Sequence, residues 1–105
     1  MINSVNNSFN LVTAFNLFKS YSQKRQHAKA NFIAELIGCQ IFVGSKSIVT
    51  YEVRVTKRYH KRTVTAVLDD MNYKIVSFHY QSNYSLSDNR KHTYTIITFT
   101  PAEGY

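Results

Sequence analysis

The sequence predicts an α+β fold in which N-terminal helical segments pack on a four-stranded antiparallel β-meander. Three observations predict it. Apolar residues in the first third of the chain recur at helical spacing, and after Gly44 the apolar period changes to two. The length of 105 residues, 44% of them hydrophobic, suits one domain with a real core. We therefore expect residues 1–105 to form a single domain.

The helical part extends from Phe9 to Ile37. Its apolar residues form two sets at the i, i+3, i+4 and i+7 spacing of a buried helical face: Leu11, Ala14, Phe15, Phe18 and Tyr21, and then Ala28, Phe32, Ile33, Leu36 and Ile37. The polar run from Ser22 to His27 between them fits one bent helix, but it favours two helices, the second capped by Ser20 or Ser22. Gly38 is expected to end the second helix, because glycine readily adopts the left-handed conformation.

The first predicted strand lies within Ile48 to Arg58, because apolar and polar residues alternate from Val49 to Thr56. Thr63 to Leu68 is predicted as a second strand. A loop from Tyr59 to Arg62 would join the two as a hairpin, in a register that places Val55 opposite Ala66 on the apolar face.

The remaining chain is predicted to form a turn and two more strands. Asp69 to Asn72 has turn composition, and strands are expected near Tyr73 to Tyr80 and His92 to Thr100. A polar loop, Gln81 to Lys91, would separate them, and Pro101 would end the last strand. The expected common core of helices and sheet consists of Phe15, Phe18, Phe32, Leu36, Val53, Val55 and Ala66.

The positive charge of the chain is concentrated in its middle. Ten of the thirteen Lys and Arg residues lie between Lys19 and Arg62, with only two acids among them, so this stretch has a net charge of +8. The residues after Arg62 have a net charge of −1, and the whole chain has a net charge of +7. The first eighteen residues contain no charged side chain. Such a focused positive field attracts polyanions or acidic protein surfaces.

Two basic segments are the candidate binding residues. The first surrounds the predicted hairpin tip, where long cationic side chains can reach phosphates and a tyrosine can stack on a base; the second lies on the helical part. We predict the contact residues Arg54, Lys57, Arg58, Tyr59, His60, Lys61 and Arg62, assisted by Lys24, Arg25 and Lys29. The alternative interpretation is that these side chains serve only solubility.

The sequence lacks the residues that most catalytic and metal-binding sites need. Zinc sites use three or four close ligands, whereas the four histidines are far apart and Cys39 is the single cysteine. Cys39 excludes an internal disulfide, and its apolar neighbours indicate a small buried side chain. Six acids are too few for a typical metal-dependent nuclease, and glycine-rich phosphate loops are absent. We therefore expect no metal site and no cofactor.

One enzymatic option survives. A metal-free ribonuclease needs only an acid or base such as His or Tyr, and cations that stabilise the developing phosphate charge. The residues of suitable type are Tyr59, His60, Lys61, Arg62, His79 and His92.

No motif fixes a reaction, and the chain resembles no family that we recognise. The leading hypothesis is a small non-enzymatic binding protein that engages nucleic-acid phosphates as a regulator or accessory factor. The alternative is a protein-protein inhibitor or adaptor, for instance a phage or mobile-element product, that targets an acidic surface of a nucleic-acid-processing enzyme. No segment has the composition of a signal peptide or a membrane span. We expect a cytoplasmic protein without membrane contact, with a homo-oligomer possible.

Overall fold

Three helices and one four-stranded antiparallel sheet make up the described part of the chain, which in this computed structural model is residues 9–39, 41–45 and 49–102. The elements are, in order, α1 (Leu11–Gln23), α2 (His27–Gly38), β1 (Ile41–Ser45), β2 (Val49–Val55), α3 (Lys61–Asp70), β3 (Tyr73–Ser85) and β4 (Arg90–Pro101). The predicted α+β class, with two N-terminal helices and four antiparallel strands, is confirmed. None of the described helices has the length and apolar character needed to cross a bilayer.

The N-terminal helical part divides into two helices, as the polar run favoured. Arg25 adopts a left-handed backbone, with φ of 59°, and this interrupts the helical path between α1 and α2. The predicted cap was wrong: Ser20 and Ser22 lie inside α1, and Gln26 precedes α2 without a side-chain cap. At the start of α1, the Asn10 side chain accepts a hydrogen bond from the Thr13 N–H at 3.1 Å.

The buried face of α1 differs from the predicted one. Ala14 and Tyr21 are buried, whereas Phe15 and Phe18 expose 54% and 37% of their surface, so the prediction that both phenylalanines belong to the core was wrong. The apolar arc of α1 is wider than the surface that α2 covers. Helical spacing alone does not say which part of a wide arc faces inward.

The sheet has the strand order β1-β2-β4-β3, with antiparallel pairs throughout. The alternation predicted for β2 is confirmed, since Tyr51, Val53 and Val55 are buried between exposed neighbours. Strand β1 was not predicted; it is short, and it pairs with β2 so that Ile41 lies opposite Val53. Because β4 rather than β3 lies beside β2, the order departs from a plain meander at one position.

The segment predicted as the second strand, Thr63 to Leu68, is helical and lies in α3. The hairpin that was to join it to the first strand does not exist, and Val55 lies opposite Thr95 of β4 rather than Ala66. Val64, Val67 and Leu68 are buried at helical spacing, while Ala66 is only partly buried. In so short a segment the apolar residues fit both periods, and β-branched residues favour a strand locally. The helix is stabilised because its apolar face packs against the core.

β3 and β4 form a hairpin that is longer than predicted. Most of the predicted Gln81 to Lys91 loop belongs to the two strands, and only residues 86–89 form the turn. A bulge shifts the pairing register between Ile75 and Ser77, which explains why Ile75 and Phe78, three positions apart, both pack against the core. Asp69 and Asp70 end α3 instead of forming a separate turn. Pro101 ends β4, as expected.

The core lies between the three helices and one face of the sheet. Phe32, Ile33 and Leu36 of α2 and the buried residues of α3 share one cluster with Val53, Val55, Ile97 and Phe99 of the sheet. Phe32, Leu36, Val53 and Val55 confirm that part of the predicted core. Cys39 is half-buried at the edge of this cluster, and burial raises the pKa of its thiol.

Candidate functional site

The connection between β2 and α3 carries the largest group of exposed cations. Strand β2 ends at Val55 and α3 begins at Lys61. The exposed basic residues of this connection and of the first turn of α3 are called the basic junction. They are Lys57, Arg58, His60, Lys61 and Arg62.

A buried threonine of β4 fixes the backbone of the basic junction. Thr95 is fully buried. Its hydroxyl donates a hydrogen bond to the Lys57 carbonyl at 2.7 Å and accepts one from the Tyr59 N–H at 3.2 Å. Because both partners lie in the connection, one side chain orders three consecutive residues on the sheet.

A carboxylate of α2 holds the same segment from the other side. Glu35 accepts hydrogen bonds from the Thr56 N–H, from the Thr56 hydroxyl at 2.5 Å and from the Tyr59 hydroxyl at 2.7 Å. Partial burial favours the neutral acid, but these hydrogen bonds and the nearby charge of Lys57 outweigh it and keep the pKa of Glu35 below its ordinary value. Glu35 is therefore an ionised anchor near neutral pH.

Tyr59 is a largely buried residue whose ring packs inside the fold. Its side chain is only 8% exposed, its ring packs edge to face on Phe32 at 5.1 Å, and its hydroxyl also lies 3.3 Å from the Asn31 carbonyl. Burial and the hydrogen bond to Glu35 raise the pKa of this phenol well above its ordinary value. The burial of the ring leaves little surface for the predicted stacking of Tyr59 on a base.

A cleft of about 320 Å³ opens beside the basic junction, lined by Arg58, Tyr59, His60 and Tyr80. The Arg58 guanidinium lies 4.5 Å from the centre of the Tyr80 ring, a cation–π distance. The Tyr80 hydroxyl in turn donates a 2.5 Å hydrogen bond to the Tyr59 carbonyl. Tyr80 thereby positions Arg58 at the edge of the cleft.

The charges of α3 run against its helix dipole. Lys61 and Arg62 occupy the first two positions, where the dipole is positive, and Asp69 and Asp70 occupy the last two, where it is negative. His60 supplies no side-chain cap. Within the described residues no carboxylate lies within ion-pair distance of Arg58, Lys61 or Arg62.

The other predicted contact residues lie apart from the basic junction. Arg54 projects from the opposite face of the sheet, with its guanidinium 5.6 Å from the Tyr94 ring centre. Lys24, Arg25 and Lys29 lie at the turn between α1 and α2.

This second basic segment lies near the far end of α3. The Lys29 ammonium is 5.6 Å from the centre of the Tyr21 ring, and the Tyr21 hydroxyl donates a 2.6 Å hydrogen bond to Asp70. Because α3 has ten residues, its two ends are about 15 Å apart. The two basic segments therefore do not form one compact cluster.

The residues that position the basic junction were not identified from the sequence. Thr95 and Tyr80 lie 38 and 21 residues from their partners along the chain, and Glu35 showed no signal beyond being one of two acids in a basic stretch. Only the tertiary fold brings these side chains to the connection.

Neither a metal centre nor a relative identifies the site. In residues 9–39, 41–45 and 49–102 no three His, Cys, Asp or Glu side chains are placed to hold a metal ion. Comparisons with protein-family models, curated proteins and solved structures give no match.

Proposed function

We propose that this protein binds nucleic acid without acting as an enzyme, and that the basic junction neutralises backbone phosphates. The observation that carries the proposal is a group of exposed cations on a fixed backbone at the N-terminus of α3, where no carboxylate of the described residues lies within ion-pair distance of Arg58, Lys61 or Arg62. Basic side chains at the N-terminus of a helix destabilise that helix, because they repel the positive end of its dipole. A departure from local stability rules is typical of a functional surface.

The chemistry of the junction supports phosphate as its ligand. The first N–H groups of a helix have no partner within the helix, and they favour anions together with the dipole. A phosphate at the start of α3 would compensate the repulsion between the dipole and Lys61 and Arg62. Arg58, beside the cleft, can bind two phosphate oxygens through its planar guanidinium.

The fixed backbone supports binding with little reorganisation. Six hydrogen bonds from Glu35, Thr95 and Tyr80 hold the segment from Thr56 to Tyr59. A surface that is ordered before binding loses less conformational entropy on association. Lys61 and Arg62 belong to a regular helix, so the directions in which their side chains leave the backbone are defined.

The same geometry supports contact with the phosphate backbone rather than with bases. Because the Tyr59 ring is enclosed, it offers no stacking surface, and cation-to-phosphate contacts carry no sequence information. Lys24, Arg25 and Lys29, near the far end of α3, would contact flanking phosphates of a longer ligand. We therefore propose binding with little sequence preference.

Two matched pairs of basic residues test the proposal. Lys61→Ala/Arg62→Ala removes one Lys and one Arg from the basic junction, and Arg90→Ala/Lys91→Ala removes the same two types from the exposed start of β4. Binding to fluorescent single-stranded and duplex oligonucleotides is measured at low salt. We expect the first pair to weaken binding roughly 10-fold or more, and the second pair to have little effect.

The rival hypotheses predict different results in the same experiment. If the junction binds an acidic protein, the unsubstituted protein will show negligible affinity for every oligonucleotide. If it is a metal-free ribonuclease, labelled RNA will be cleaved in the presence of a chelator, and Lys61→Ala/Arg62→Ala will slow that cleavage. Equal effects of the two pairs would show that binding follows total charge and not the junction.

A further inference from the structure

The outer side of α1 is an apolar surface that the described fold leaves uncovered. Leu11, Val12, Phe15 and Phe18 are 47%, 71%, 54% and 37% exposed. Leu11, Phe15 and Phe18 follow the i, i+4, i+7 spacing, so they form one line along the helix, with Val12 at its side. We call these four residues the α1 stripe.

The α1 stripe is large for a surface that meets only water. Its side chains expose roughly 400 Å² of apolar area, within the range at which a patch on a monomer is commonly an interaction site. The opposite side of α1 packs against the rest of the protein, since Ala14 and Tyr21 are buried there. The α1 stripe is therefore a second apolar surface of α1, outside the core.

We propose that the α1 stripe binds the α1 stripe of a second copy of this chain, forming a dimer with two-fold symmetry. Two copies of a protein with net charge +7 repel each other over most of their surface. The first eighteen residues carry no charge. The stripe is thus a surface on which two copies can approach with little repulsion, and a two-fold axis makes one apolar patch complementary to itself.

The position of Lys19 selects the antiparallel arrangement. Lys19 is exposed and directly follows Phe18. In a parallel pair of helices the two lysines would face each other. In an antiparallel pair centred between Ala14 and Phe15, Leu11 lies opposite Phe18 of the second copy, and the two lysines are about 13 Å apart along the helix axis, beyond the Debye length of ~8 Å.

The area of the α1 stripe indicates a weak dimer. A stable interface buries about 800 Å² on each partner, and the stripe supplies roughly half of that. Aromatic residues near the centre of a contact contribute strongly for their size. We therefore expect a dissociation constant in the micromolar range, about 1 to 100 μM.

Complementary charges at Phe15 test the dimer and its register together. Because Phe15 lies next to the two-fold axis, the two copies of this side chain are close to each other. Phe15→Asp and Phe15→Lys each place like charges at the axis, so each variant alone is expected to be monomeric, whereas an equimolar mixture restores a dimer of one copy of each. Sedimentation velocity over about a 100-fold concentration range around the expected dissociation constant measures this without nucleic acid, and circular dichroism verifies the fold.

Three results would overturn the proposal. The unsubstituted protein could remain monomeric throughout, either variant alone could dimerise like the unsubstituted protein, or the mixture could stay monomeric. In the first case, a dimer that forms once residues 1–8 are removed would mean that those residues occupy the stripe. As a control, Val76→Asp, at a half-exposed site on β3, should dimerise like the unsubstituted protein.

Discussion

At the scale of single residues, two buried or half-buried side chains determine the shape of the candidate site through their hydrogen bonds. Thr95 and Glu35 both bind the segment from Thr56 to Tyr59. Neither contributes positive charge, yet without them the cations of the basic junction would lie on an unanchored connection. Positioning residues of this kind are invisible to a search of the sequence for charge.

Replacement of Glu35 with glutamine separates positioning from charge. Glu35→Gln raises the net charge by one, which alone would strengthen binding to a polyanion. We expect weaker binding instead, together with a loss of about 1–3 kcal/mol in unfolding free energy at neutral pH, because charged hydrogen bonds to Thr56 and Tyr59 are lost. Oligonucleotide titration and urea unfolding measure the two effects. Glu52→Gln, at an exposed site on β2, is the control with the same charge change and should show neither loss.

The lowered pKa of Glu35 gives the same anchor a definite pH dependence. Its contribution to stability is fully present above the ordinary value of 4.5 and is lost as the pH falls through the lower pKa of the folded state. The difference in unfolding free energy between the unsubstituted protein and Glu35→Gln should therefore shrink as the pH falls from 7 to about 3. A difference that stays constant over this range would mean that Glu35 is not an ionised anchor.

At the scale of elements, α3 is the part of the chain that sequence patterns describe least well. Thr63, Val64 and Thr65 have the propensity of a strand, and over six residues the apolar positions satisfy a period of two as well as 3.6. The longer patterns predicted the type of element correctly, because α1, α2 and β2 each repeat their period several times, although the buried face of α1 was assigned wrongly. The short strand β1 and the helix α3 both lacked that length.

The burial of Val67 distinguishes the helix from a strand. In α3 Val67 is fully buried, whereas in the predicted strand it would point away from the core. Val67→Ala should reduce the unfolding free energy by about 1–3 kcal/mol. Val76→Ala removes the same two methyl groups at a half-exposed position and should change it by less than about 0.5 kcal/mol. Equal losses in chemical denaturation would contradict the helical packing of α3.

The reversed charges of α3 predict a gain in stability when binding residues are removed. Lys61→Ala/Arg62→Ala takes two cations from the positive end of the dipole and adds good helix formers, so we expect the unfolding free energy to rise by about 0.5–1 kcal/mol. Arg90→Ala/Lys91→Ala lies outside a helix and should give no such gain. A thermal melt compares the two pairs. Destabilisation by the α3 pair would show that these cations support the fold.

At the scale of the whole molecule, the sequence was informative about class and charge and less so about arrangement. The change of period after the N-terminal helices and the strong pattern of β2 were enough for the α+β class, but one of the four predicted strands is the helix α3 and the strand β1 was missed. The pairing of β2 with β4 rather than with the next segment depends on contacts 40 to 48 residues apart in sequence, which local patterns do not contain. Nine of the ten candidate contact residues were chosen for a cationic or titratable side chain, and Tyr59 was chosen for stacking. Five of them, which are neighbours in sequence, form the basic junction, Tyr59 is largely buried, and the other four lie elsewhere.

The dependence of nucleic-acid affinity on salt tests the central claim most directly. Each phosphate contact that a cation makes contributes about −0.9 to the slope of log affinity against log salt concentration. Replacing Lys57, Arg58, Lys61 and Arg62 with alanine should therefore reduce the magnitude of the slope by about four units while circular dichroism shows an intact fold. Binding by the four-residue variant with the slope and affinity of the unsubstituted protein would contradict a phosphate-binding role for the basic junction.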